Sequence, residues 1–211
     1  KDSYYGFTFK YPKKWNNIPR KTSEQWMAAK YVSDKAYTFT DKDLGYTVDH
    51  TPELQVIVFP LEVTKKGGVT EDEKEIDGEK VKTFTITTPY RDYDDFLSRT
   101  FTGGGYYLSD QEEDEIDDIK VTKYTYTVDK MARSGPQTIE TWVYHTEDVD
   151  YAVQLVGLTK HWKAIEKVFK PVRQTFEIIE RTYGSWFHDP ASVAISQAQD
   201  FVALAQVYLA E

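Results

Sequence analysis

The sequence predicts an α+β fold with a central antiparallel sheet, helices on both faces of that sheet, and a further C-terminal helix. Residues 53–63 and 151–159 are apolar on both alternating sides, which is typical of strands that helices cover on both faces. Short connections join the strands of the second half, and such connections require antiparallel neighbours. Two segments with helical periodicity, one in mid-chain and one after the last strand, supply the helical layers.

The composition limits the classes of function that this chain can have. It has 211 residues, of which 40% are hydrophobic, enough to bury a full core without disulfides. Its formal net charge of -9 argues against non-specific binding to nucleic acid or to an anionic membrane. The sequence contains no cysteine, which excludes disulfides, thiolate metal sites and thiol catalysis.

The hydropathy pattern predicts no membrane-spanning segment, because no stretch of about 18 apolar residues is present. Lys1 has the character of a processed or trimmed end, which is consistent with a removed export signal. We therefore expect an exported protein, periplasmic or at the cell surface, rather than a cytoplasmic one.

The first quarter of the chain predicts strands. Aromatic side chains recur at every second position of the opening stretch, which indicates a strand with one face on a core. These aromatic residues are Tyr5, Phe7, Phe9 and Tyr11, and Pro12 ends the pattern. Residues 26–40 predict one or two further strands, and Asp77-Gly78 predicts a tight hairpin farther along.

A helix is predicted in mid-chain. Thr88 can serve as its N-cap and Pro89 suits its first position. Acidic residues from Asp92 to Asp95 follow in the first turns, where they complement the helix dipole. The three glycines at 103–105 are expected to end it.

The second half of the chain predicts a meander followed by helices. Strands are expected at 118–129, 137–146 and 151–159, with turns between them. A helix with an apolar stripe begins near His161 and reaches Ile179, with a kink or a restart at Pro171.

The pieces together resemble the PsbP/Mog1-like group. Members commonly open with an F-x-F-x-Y-P-x-x-W segment, present as GFTFKYPKKW at 6–15, and close with a helix that ends in a Phe-containing stretch, present as RQTFEII at 173–179. The resemblance implies a sheet between two helical layers. It also implies a frequently exported, non-catalytic protein that docks onto, or helps to assemble, a larger complex. We expect one such domain at 1–181 and a helical appendage at 182–211.

The acidic run DQEEDEIDD at 110–118 is a candidate cation site. Calcium binds clustered carboxylates, and the candidate ligands are Asp110, Glu112, Asp114, Asp117 and Asp118. The EF-hand register fails, because Glu115 stands where that loop requires glycine. The main expectation is a solvated acidic loop, with weak cation binding as the alternative.

The sequence contains no catalytic motif that we can assign. His50, His145, His161 and His188 show no zinc-site spacing, and no G-x-S-x-G nucleophile motif is present. His145 is the one histidine near plausible acidic partners, so a hydrolase-like enzyme that uses His145 with nearby carboxylates is an alternative. We expect no enzyme activity and no cofactor.

Aromatic residues in predicted loops form the candidate binding face. The set includes Trp15, Trp26, Tyr106, Tyr107, Trp186 and Phe187. Most of them are expected to be buried, and those that remain exposed mark a surface for a partner protein or a glycan.

The last helix is the second candidate for partner binding. It begins after Asp189 and carries one apolar stripe that needs a cover, either the parent domain, a second copy or another protein. The candidate contact residues are Trp186, Ile195, Phe201, Val202, Tyr208 and Leu209. The leading hypothesis is therefore a non-catalytic binding or assembly module that engages a protein partner or forms a homo-oligomer.

Overall fold

The computed structural model describes residues 1–19, 27–61, 68–76, 79–87, 90–129 and 135–181, and at 68–76 and 79–87 only the course of the backbone. The appendage predicted at 182–211 lies outside these residues. Its boundary and its candidate contact residues, Trp186, Ile195, Phe201, Val202, Tyr208 and Leu209, therefore stay predictions.

Within the described residues the chain forms thirteen strands, two α-helices and one 3-10 turn. The strands are β1 (Phe7–Thr8), β2 (Asn16–Ile18), β3 (Met27–Val32), β4 (Tyr37–Asp41), β5 (Tyr46–His50), β6 (Glu53–Pro60), β7 (Gly68–Ile76), β8 (Glu79–Thr87), β9 (Tyr107–Ile116), β10 (Ile119–Val128), β11 (Gln137–His145), β12 (Val149–Leu158) and β13 (Glu177–Ile178). The helices are α1 (Tyr93–Gly103) and α2 (Trp162–Gln174), and the 3-10 turn is Thr159–His161.

Seven strands form the main sheet, in the order β2-β3-β6-β12-β11-β10-β9. Every neighbouring pair in it is antiparallel. β6 and β12 pair at its centre, in agreement with the prediction from their two-sided apolar pattern. Three two-stranded pairs, β1-β13, β4-β5 and β7-β8, complete the described strands.

The main sheet is covered by one helix on each face, which confirms the predicted fold class. Alternate residues of β10, β11 and β12 enter two separate cores because side chains alternate across a strand. On one face, Val153 packs with Phe169 and Val172 of α2. On the other face, Ala152 packs with Tyr93 and Leu97 of α1. We call these surfaces the α2 face and the α1 face.

The opening segment forms a shorter strand than its aromatic pattern predicted. Only β1 pairs, with Phe7 opposite Ile178. Phe7 is buried, whereas Tyr11 is 42% exposed, so the predicted strand does not extend to it. The aromatic side chains still reach the core, since Phe176 stacks on Phe7 at 5.9 Å between ring centroids.

Gly6 is required where this opening segment meets the end of the described chain. Its φ angle is +81°, a left-handed conformation that side-chain-bearing residues rarely adopt. A Cβ atom at this position would lie 2.9 Å from the backbone oxygen of Ile179 and closer still to the side chain of Arg181. The close approach allows Ile179 N to donate to Gly6 O at 2.9 Å.

Helix α1 begins later than predicted. The N-cap is Asp92, whose side chain accepts a hydrogen bond from Asp95 N at 2.8 Å, whereas the predicted cap Thr88 lies outside the described residues. Asp92 competes well for this position because its short carboxylate reaches the free N–H groups of the first turn. The predicted end of the helix is confirmed, since α1 ends at Gly103.

The acidic run is a strand and a turn, not the loop that its charge suggested. Residues 110–116 belong to β9, and each of them pairs with a residue of β10. Asp117 and Asp118 have φ angles of 51° and 61° and form the tight turn between the two strands. Aspartate tolerates this left-handed backbone, and the turn matches the right-handed twist of the paired strands. The predicted three-stranded meander therefore has four strands, β9 to β12.

Pro171 does not interrupt α2, which continues to Gln174. The proline lies in the last turn of α2, so the backbone hydrogen bond that it removes affects only the end of the helix. The predicted restart does not occur, because Phe176 follows the helix and Glu177–Ile178 form β13. Phe176 and Ile179, predicted on a helical stripe, therefore belong to the closing strand region.

Candidate functional site

His145 lies where the start of α1 meets the α1 face of the sheet. It is the last residue of β11 and stands opposite Asp150, at the start of β12. Asp94 approaches it from the first turn of α1, and Thr122 approaches it from β10. The structure therefore brings together groups from four elements, which we call the His145 cluster.

Hydrogen bonds hold both nitrogens of the His145 ring. Nδ1 lies 3.1 Å from Asp150 Oδ1, and because a carboxylate only accepts, Nδ1 carries the hydrogen. Nε2 lies 3.0 Å from Thr122 Oγ1 and 3.7 Å from Asp94 Oδ2. The second oxygen of Asp150 accepts from Tyr93 N at 2.9 Å, so a buried anion faces the positive end of α1.

The two carboxylates favour the protonated form of His145. Burial lowers the pKa of His145, but the hydrogen bond and charge of Asp150, with the charge of Asp94, outweigh burial and raise it. The pKa of Asp94 is also raised, chiefly by burial, although Tyr124 and His145 oppose the change. Within the described part of the chain, Asp94 Oδ1 is buried without a hydrogen-bond partner.

The raised pKa of His145 favours a proton on the ring, between the helix and the sheet. Thr122 and Asp150 are each 1% exposed, so a substrate cannot reach the hydroxyl group or the inner carboxylate. The side chains of His145 and Asp94 are 19% and 35% exposed. From the sequence, acidic partners for His145 are expected only in the hydrolase-like alternative, and Asp94 is predicted as an acid in the first turns of the helix.

A second candidate site is a groove at the β2 edge of the main sheet. It has a volume of about 300 Å³ and is lined by the opening segment together with residues from β2 and β3. The ring of Tyr11 packs against the ring of Tyr31 at 4.1 Å between centroids, with the planes tilted by 36°, and Phe9 meets Tyr31 edge-on at 5.6 Å. We call this surface the aromatic groove. Sequence reasoning missed it, because it assigned Tyr11 to the buried side of a strand.

Three of the six aromatic residues predicted as a binding face lie in the described part of the chain, and their exposure differs. Trp15 is 7% exposed and belongs to the core, while Tyr107 is 51% exposed at the start of β9, beside Leu108 at 46%. Tyr106 is half-buried. Trp26, Trp186 and Phe187 lie outside the described residues.

The five candidate cation ligands do not converge. Asp110, Glu112 and Asp114 lie at alternate positions along β9, and Asp117 and Asp118 form the turn after it. Lys123 of β10 lies 3.4 Å from Asp110 and 3.3 Å from Glu112 and neutralises part of the row. Over the residues that the structure describes, no group of three or more such side chains has the arrangement of a metal site.

The architecture is an α/β/α sandwich with a PsbP/Mog1-like fold. The chain is similar to the solution structure of cyanobacterial PsbP from Synechocystis sp. PCC 6803, with a TM-score of 0.51 and 14% identity over 84% of this chain and 89% of that chain. This likeness supports the fold, and at such low identity it does not carry the function.

Two other structures give lower scores. LpqN, which is involved in cell envelope biogenesis of Mycobacterium tuberculosis, has a TM-score of 0.43 and 11% identity over 82% of this chain and 83% of that chain. A Pseudomonas aeruginosa protein of unknown function, a putative regulator, has a TM-score of 0.38 and 11% identity over 80% of this chain and 99% of that chain. No protein-family model matches the sequence, and no curated protein matches it. No helix in the described segments is long and apolar enough to cross a membrane.

Proposed function

We propose that this protein is a non-catalytic binding module that engages a protein partner through the aromatic groove. The observation that carries the proposal is Tyr11, which is 42% exposed although its ring packs against Tyr31 in the lining of a concave, aromatic-lined surface. Aromatic side chains with one polar end are enriched at protein interfaces, where they combine apolar contact with a hydrogen bond.

The groove suits an extended segment of the partner. It adjoins β2, which has only β3 as a neighbour among the described strands. The outer backbone groups of an edge strand can pair with an added strand, while a neighbouring pocket accepts one of its side chains. The exposed Asn16 and Asn17 of β2 offer further hydrogen bonds at this edge.

The charges around the groove favour an uncharged side chain. Lys30 forms an ion pair with Glu53 at 2.8 Å, so its charge is already balanced. Lys1 and Asp2 add one charge of each sign to the lining. Burial, with the charges of Tyr11 and Asp2, raises the pKa of Tyr31, which stays neutral at physiological pH. An apolar or aromatic anchor residue therefore matches the groove.

Selection from a displayed library of random peptides tests the proposal. Peptides that bind the protein are expected to carry an apolar or aromatic anchor, and Tyr11→Ala is expected to weaken them at least about tenfold in fluorescence anisotropy. Tyr107→Ala is the matched control, because Tyr107 has similar exposure outside the groove. Selected peptides that bind Tyr11→Ala as tightly as the wild type would contradict the proposal.

The same measurement separates the other ligand classes. If a member of an oligosaccharide panel binds the groove and no peptide does, the ligand is a glycan and not a protein partner. The hydrolase alternative has weaker support, because the hydroxyl group beside His145 is buried. A divalent-cation role would require calcium to bind β9, which calorimetry detects directly.

We place this module outside the cytoplasm, as the resemblance implies. Because the chain has no cysteine, an oxidising compartment cannot form wrong disulfides in it, which is compatible with that location. Cell fractionation of the native protein tests the location, and recovery in the cytoplasmic fraction would contradict it. Light scattering on the purified protein tests whether the partner is a second copy.

A further inference from the structure

A cavity of about 420 Å³ lies beside α2, on the opposite face of the sheet from the His145 cluster. Seven residues line it: Glu140, Lys163, Glu166, Lys167, Phe169, Lys170 and Arg173. Four of these carry a positive charge and two carry a carboxylate, which leaves a net charge of two positive in a chain whose total is -9. Phe169 supplies an apolar wall.

Arg173 is held in one orientation by buried neighbours. Its guanidinium group lies 4.2 Å from the centre of the Trp142 ring. The Trp142 indole nitrogen donates to Glu140 Oε1 at 2.8 Å, and Arg173 Nη1 lies 4.0 Å from the same oxygen. Glu140 is 4% exposed, so a buried carboxylate and an aromatic ring position the cation at the cavity.

The cations of the cavity have few partners. Across the described ranges, Glu140 at 4.0 Å is the one carboxylate within ion-pair distance of Arg173, and Lys163, Lys167 and Lys170 have no carboxylate within 4.0 Å. The lysines recur at intervals of three and four residues, so they share one side of α2. Arg173 adds a planar group that binds two oxygens at once.

We propose that this cavity binds the phosphate group of a phosphomonoester. The volume is in the range of small-molecule sites, and the oriented guanidinium matches two phosphate oxygens while the lysines supply point charges. Burial raises the pKa of Glu140, although Trp142, Lys123 and Arg173 oppose the change. The phosphate belongs either to a soluble ester or to a lipid headgroup.

Nuclear magnetic resonance titration with glycerol 3-phosphate tests the site. Saturable shifts are expected for the Trp142 indole and for α2, with an affinity that falls about tenfold in Arg173→Gln and partly recovers in Arg173→Lys. The exposed pair Lys167→Gln and Lys170→Gln gives a second test if Arg173→Gln does not fold. Lys160→Gln is the control, because this exposed cation does not line the cavity.

Two results overturn the proposal. One is the absence of a saturable response at about 10 mM ester, a concentration far above the dissociation constant expected for a preformed phosphate site. The other is an equal response to sodium chloride at matched ionic strength, which would indicate general screening. Sedimentation with vesicles of phosphatidylcholine and phosphatidic acid identifies the source. Binding to these vesicles that Arg173→Gln abolishes supports a lipid headgroup, and binding to the soluble ester alone supports a soluble ligand.

Discussion

His145 Nδ1 lies 3.1 Å from Asp150 Oδ1, and the two residues stand directly opposite each other on β11 and β12. The other oxygen of Asp150 accepts from Tyr93 N, the first residue of α1. One buried carboxylate thus joins a titratable ring on the sheet to the beginning of the helix that covers it. The protonation of His145 is therefore linked to the attachment of α1.

The contribution of His145 to stability is expected to fall as pH rises above 6.5, the ordinary pKa of histidine. The folded pKa of His145 is raised above its ordinary value of 6.5, so the folded state binds the proton more tightly than the unfolded state. That stabilisation is fully present below pH 6.5 and is lost as pH rises through the folded pKa. Urea denaturation at several pH values measures it, and His145→Gln is expected to flatten the slope in this window.

A histidine outside the cluster provides the control. His161 packs against the ring of Tyr37 at 5.0 Å, outside the His145 cluster, so His161→Gln removes a histidine without removing the hydrogen bonds of His145. Asp94 also contributes stability that is lost as pH rises, but at lower pH. The folded pKa of Asp94 is raised above the ordinary value of 3.8, so ionising its carboxyl group destabilises the folded state. An unchanged slope in His145→Gln would show that the ring does not couple to folding.

Asp150→Ala is expected to destabilise the protein by about 3 kcal/mol or more, because it leaves a partly buried imidazole and a helix N–H group without their acceptor. Asp150→Asn restores an acceptor for Tyr93 N and is expected to cost less. Both changes are expected to lower the pKa of His145, which proton NMR titration follows. Asp43→Asn, an exposed carboxylate, is the control. A His145 pKa that stays the same in both variants would contradict the assignment.

Gly6→Ala is expected to destabilise the protein more than Gly45→Ala. Both glycines have positive φ angles, +81° and +67°, so both substitutions carry the left-handed backbone cost of about 1–2 kcal/mol. A Cβ atom at Gly45 meets nothing within 4 Å, whereas at Gly6 it meets Ile179 O at 2.9 Å. The difference between the losses of unfolding free energy in the two variants measures the cost of the contact between the added Cβ atom at position 6 and Ile179 O. Equal losses of unfolding free energy in the two variants would mean that β1 and β13 can move apart at Gly6 without a measurable energetic cost.

Neutralising Asp110, Glu112 and Asp114 of β9, which has β10 as its one neighbour among the described strands, is expected to produce self-association. An edge strand with unpaired backbone groups invites pairing with another edge, and its charges prevent this. In Asp110→Asn, Glu112→Gln and Asp114→Asn combined, we expect dimers or larger species in light scattering. A matched triple variant at the exposed sites Asp34, Asp43 and Glu177 removes the same charge elsewhere and is expected to stay like the wild type. Identical behaviour of the two triple variants would contradict an edge-specific effect.

Several local features of the fold could be predicted from the sequence. The two-sided apolar runs identified β6 and β12 as central strands, and short turns identified the antiparallel meander. The prediction failed for β9 because a run of carboxylates is usually a solvated loop, and here β10 supplies the pairing partner that the local sequence does not reveal. It failed for Phe176 because helical spacing continues past the point where β1 offers a pairing edge.

The candidate sites depend on distances that no local pattern contains. His145 and Asp94 are 51 positions apart in sequence and become neighbours only because α1 packs over the start of β12. Arg173 meets Trp142 through the packing of α2 on the opposite face. The sequence by itself determined that β6 and β12 are buried on both sides, because the residues on both alternating sides of these strands are apolar. Tertiary structure alone decided which charged groups meet, since that depends on how separate layers pack and which strands pair.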